Sequence, residues 1–122
     1  MFRPALAVLV AAAIALVAAR FGLTQALGAH PVWAVQVAWI GVPIGAVVAF
    51  LALWRGLAQI WAAPLFAAVT AAALAAAFWG KAEFAASFAE NARAGQAWYY
   101  GWIIAAAGAT ATLAALVPFT RG

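Results

Sequence analysis

The sequence predicts an all-α integral membrane protein, one domain over residues 1–122. Four transmembrane helices are expected at about 4–26, 32–53, 57–79 and 97–117, with a short interfacial amphipathic helix between the third and fourth. Composition is the first ground. Of 122 residues, 71% are hydrophobic and 7% charged, and the mean hydropathy is +1.11, against about 45–50% apolar and about 25% charged in soluble domains. A soluble chain this small could not hide so much apolar surface in its own core. The second ground is a hairpin. Two apolar runs, Val32–Leu53 and Leu57–Trp79, are joined only by Trp54-Arg55-Gly56, and each matches the roughly 20 residues that a bilayer crossing takes. The third ground is where the aromatic residues fall. Trp33, Trp79 and the run Trp98-Tyr99-Tyr100-Gly101-Trp102 would lie at one membrane face, with Trp54 and Trp61 at the other, as an aromatic belt requires.

The first helix starts at a segment with the outline of a signal peptide: Arg3, an apolar run from Ala5, then Ala18-Ala19. It is read as a span. The 16 residues between Arg3 and Arg20 give only ~24 Å of helix, so continuation through Phe21-Gly22-Leu23 is expected. Arg20 would then snorkel to the interface as an anchor. His30 stands directly before Pro31, which biases it away from helical geometry, so it belongs to a loop rather than to a haem or chlorophyll site inside a span.

The second helix carries Pro43 between Gly41 and Gly45. The proline removes the bond to the Trp39 carbonyl and predicts a kink, while Ala34, Ala38, Gly41, Gly45, Ala49 and Ala52 make one smooth face for helix packing. Pro64 does the same to the Ile60 carbonyl in the third helix, whose small stripe is read as Gln59, Ala63, Ala67, Thr70 and Ala73. Gln59 and Thr70 are expected to hydrogen-bond to a neighbouring helix.

Residues 80–95 are the one polar stretch. Phe84 and Phe88 share a side, which predicts the interfacial helix, and Lys81, Glu83, Glu90 and Arg93 make a candidate docking surface for a partner. In the fourth helix Gly101, Ala105, Gly108, Thr112 and Ala115 form another small stripe.

The charges and absences narrow the function. Arg3, Arg20, Arg55, Lys81, Arg93 and Arg121 are scattered singly at the edges of apolar runs, so no basic stripe for nucleic acid exists; Arg55, like Arg20, reads as an interface anchor. These residues divide three and three between the membrane faces, and the tight Arg55 turn favours both termini in the cytoplasm. There is no cysteine, hence no disulfide, thiolate metal site or cysteine nucleophile. The expected spans hold no carboxylate, lysine or histidine, which argues against proton-coupled transport. Small four-helix multidrug exporters rely on a glutamate in the first helix, and none stands there.

No catalytic set or metal site is expected, so the chain does not read as an enzyme. No cofactor is predicted, although the aromatic cluster could hold a lipid or quinone. The expected partners are membrane lipids and other integral membrane subunits. The expectation is a small accessory subunit of a larger energy-transducing or transport complex in the bacterial inner membrane, packing through its small-residue faces. The alternative is a homo-oligomeric channel or transporter for an uncharged or hydrophobic solute, built on the Pro43 and Pro64 kinks.

Overall fold

The computed structural model describes residues 3–30, 33–87 and 91–117, except the side chains of Arg3 and Thr24. They form a helical bundle: α1 (Arg3–Arg20), a single turn α2 (Leu23–Ala26), α3 (Ala34–Trp54), α4 (Gln59–Ala86) and α5 (Ala92–Leu116). The α3, α4 and α5 helices are long and apolar enough to cross a membrane, and α1 is a shorter apolar helix. The four expected helices are therefore present, with changed boundaries.

The first change is at residue 20. Gly22 adopts a left-handed φ of 94° and its N–H donates to the Ala19 carbonyl, so α1 stops at Arg20 instead of running on to residue 26. The second lies in the polar stretch. Among the described residues no separate interfacial helix forms: residues 80–86 continue α4, and α5 already starts at Ala92. Asn91 sets that start by accepting the Ala94 N–H through its side chain at 3.1 Å. Ser87 links the two, donating to the Phe84 carbonyl and accepting from the Asn91 N–H at 2.9 Å.

The turn between α3 and α4 is as tight as its length implies. Gly56 takes φ 105°, its N–H donates to the Leu53 carbonyl, and the Leu57 N–H reaches the Ala52 carbonyl. These two bonds make a Schellman stop, which needs a residue at ease with positive φ.

The hairpin is nevertheless not the organising element. Along their lengths α3 and α4 scarcely touch, because α5 lies between them and packs against α4, α3 and α1 alike. The reason is visible in the glycines. A Cβ on Gly41 would meet the Ile103 carbonyl oxygen and lie 2.8 Å from the Ala106 Cβ; one on Gly45 would fall 2.7 Å from the Ala107 carbonyl carbon. Across the other seam, Gly101 would clash with Ala77 at 2.9 Å and Gly80 with the Trp98 nitrogen at 2.5 Å, while Gly108 sits against Thr70. Glycine on both seams lets α5 come backbone-close to two helices at once.

Candidate functional site

The expected small face of α3 is real: Ala34, Ala38, Gly41, Gly45 and Ala49 are buried. Its occupant is this chain's own α5, with α1 covering Ala38 and Val42 through Ala19 and its neighbours. On α4 the stripe is shifted. The buried line is Ala62, Phe66, Ala73, Ala77 and Gly80, and Ala67 of the expected stripe is exposed. On α5, Gly101, Ala105, Gly108 and Ala115 are all buried, as a helix with three neighbours demands. The four glycines singled out for packing thus hold the bundle itself together.

Gln59 bonds to a neighbouring helix as expected. Its Nε2 donates to the Ala115 and Val117 carbonyls, both at 2.8 Å, and so caps the end of α5 from the start of α4. Thr70 does not; its hydroxyl donates to the Phe66 carbonyl in its own helix at 2.8 Å. Pro43 and Pro64 both face outward, and so do Trp39 and Ile60, whose carbonyls they leave without a helical donor. Since α3 and α4 scarcely meet, the two proline sites do not come together across an interface, and α3 stays one continuous helix.

The aromatic residues gather at the two ends. Trp33 packs edge-on against Trp98 (5.1 Å between ring centres) and Tyr99 (5.2 Å), and Tyr100 continues from Tyr99. His30 joins this cluster, stacked on Trp33 at 5.8 Å and edge-on to Trp98 at 5.4 Å. The Trp98 indole also donates to the Gly28 carbonyl at 3.0 Å, which ties the loop before α3 to α5. Trp79 lies exposed at the same end, and Trp54 and Trp61 are exposed at the other. Trp102 departs from this pattern. It is 3% exposed, set within the bundle against Phe78, so it is not an interface anchor. Arg20 and Arg55 are exposed at opposite ends, as anchors would be.

Of the docking residues, Lys81, Glu83 and Arg93 are exposed; Glu90 lies outside the described residues, as does Phe88. Phe84 is half-buried against Trp98 and Gly95, so the expected apolar face is turned to α5. Among the described residues no group of three His, Asp or Glu could hold a metal ion.

One feature had no signal in the sequence. An apolar cavity of about 350 Å³ lies between α1–α2 and α4, floored by α5 from Trp102 to Leu113 and backed by Ala38 and Val42 of α3. It exists because α1 and α4, both resting on α5, do not approach each other. Compared with protein-family models, with curated proteins and with solved structures, the chain finds no match in any of the three.

Proposed function

We propose that this chain is a small accessory subunit, not an enzyme, in a larger energy-transducing or transport complex of the bacterial inner membrane. It crosses the membrane four times with both termini in the cytoplasm. The observation that carries the reading is a contrast between two outward faces. The exposed side of α3 is bulky: Val35, Trp39, Ile40, Ile44, Val47 and Leu51. Over its middle turns the exposed side of α4, a helix packed chiefly on α5, carries Ala67, Ala68, Ala71, Ala72, Ala75 and Ala76, with Val69 the one bulky residue among them. Its exposed Ile60, Trp61, Leu65, Phe78 and Trp79 lie toward the two ends.

Bulky side chains fill against lipid tails, whereas an alanine face offers lipid few atoms and lets another helix approach backbone-close. Ala72 and Ala76 also border a shallow apolar groove shared with Val69, Tyr100 and Ile104. The occupant is a spanning helix of another subunit. Lys81, Glu83 and Arg93, on the extension of α4 and the start of α5, add polar contacts at the membrane surface. Since the glycine faces are spent inside the bundle, α4 takes over the docking role expected of Gly41 and Gly45.

The test is purification of the tagged chain in mild detergent from its native cells, with mass spectrometry of what comes with it. A larger membrane protein at fixed stoichiometry, lost from the Ala68→Leu/Ala72→Leu/Ala75→Leu variant while that variant keeps its helicity and thermal stability, supports the reading. A chain that purifies alone, or companions unaffected by the three leucines, overturns it.

A further inference from the structure

The cavity beside α5 carries a second oddity. The Trp102 ring forms part of its wall, and the indole Nε1–H is buried with no hydrogen-bond acceptor. A buried donor without a partner is unfavourable. Phe78, edge-on with ring centres 6.3 Å apart, offers only a second-order N–H···π contact. Among the described side chains, Thr70 is the one polar lining group besides Trp102, and its hydroxyl proton is committed to the Phe66 carbonyl.

The shape is as specific as the chemistry. The floor from Trp102 to Leu113 runs ~16 Å along α5 at ~1.5 Å per residue, and the volume falls within the ~300–1,000 Å³ usual for ligand pockets. Trp102 lies toward the end of the bundle where α1 gives way to α2 and where Leu23 and Leu27 line the same cavity. A molecule with its polar end at Trp102 and its tail toward Leu113 would lie along α5, within the bundle. The separated helices α1 and α4 leave the side entrance such a molecule needs.

We propose that this cavity binds a lipid-soluble carbonyl compound, its hydrocarbon tail along α5 and its carbonyl oxygen accepting the Trp102 N–H. A quinone and an acyl ester share that chemistry. The N–H is covered in the structure, so the proposed bond requires the indole to turn toward the cavity as the ligand binds. The inference concerns the chain by itself and does not depend on its being part of a complex.

Purified full-length protein is titrated with a short-tailed benzoquinone, which quenches tryptophan emission on contact, and binding is compared in Trp102→Phe and Ala15→Phe variants. Ala15 lines the opposite wall on α1, so phenylalanine there fills the space without touching Trp102 chemistry. The expected result is saturable quenching in the parent protein, about tenfold weaker in Trp102→Phe, as loss of one buried hydrogen bond implies, and abolished in Ala15→Phe. Circular dichroism of both variants should match the parent. A fatty-acid methyl ester added in competition separates the sources: displacement marks an acyl-lipid site, and no displacement a quinone site. Quenching that rises linearly without saturation, or that saturates identically in both variants, overturns the proposal.

Discussion

Replacing Gly45 with alanine puts the packing of α3 on α5 to a test of sign. In an isolated helix the change should stabilise by about 1 kcal/mol, because alanine is the better helix former. In this bundle the new methyl carbon would meet the Ala107 carbonyl oxygen and lie 2.7 Å from its carbon and 2.8 Å from its Cα. All three are backbone atoms of a neighbouring helix, so no side chain can swing aside. Ordinary contact between such carbon atoms is ~3.5–4.0 Å, and the helices must separate by roughly 1 Å along that seam. Overpacking of this kind costs about 1–3 kcal/mol, toward the upper end where backbone must move. After the propensity gain, Gly45→Ala should lose about 1–2 kcal/mol. Equilibrium unfolding in mixed detergent, followed by tryptophan emission, measures it, with Val48→Ala on the outward face as a control expected near zero. A Gly45→Ala protein as stable as the parent, or more so, would refute the placement of α3 on α5.

Gln59→Leu should remove both bonds that cap α5 and cost about 1 kcal/mol, with faster amide exchange confined to residues near Val117. Exchange unchanged there would mean that the carbonyls are held some other way. Trp98→Phe keeps a ring beside Trp33 and Phe84 but loses the donor to the Gly28 carbonyl. It should cost about 0.5–1.5 kcal/mol and speed exchange in the loop at residues 27–30, leaving α3 and α4 as they were.

Much of the helical content was legible because its signals are strong. The 22-residue apolar run from Val32 and the Gly56 stop needed no tertiary information, and Gln59 had no polar neighbour one turn along its own stripe, where Ala63 stands. The small face of α3 was readable too, since bulky residues flank it on both sides. What covers it was not. A hairpin read from a short link implies that its two arms pack together, yet link length constrains only where the arms meet. Gly41 and Gly45 of α3, and Gly101 and Gly108 of α5 against α4, then seat both arms on α5.

The stripe on α4 was misphased for a different reason. With alanine at most positions from 62 to 77, several faces are equally small, and only Phe66 and Gly80 mark the buried one. Trp102 was grouped with an interface belt because it follows Trp98-Tyr99-Tyr100 closely, but four residues along a helix is one turn deeper into the bundle. The cavity depends on two helices failing to meet, which no local pattern encodes.

On the proposed function, the alanine flank of α4 meets a helix of another subunit while the outer face of α3 meets lipid. A photo-crosslinking residue placed at Ala72, and in a separate strain at Val48, tests it most directly in living cells. The expected result is a discrete crosslink to one larger membrane protein from position 72, abolished by the Ala68→Leu and Ala75→Leu changes, and none to protein from position 48. Equal labelling from both positions, or crosslinks from 72 only to further copies of this chain, would contradict it.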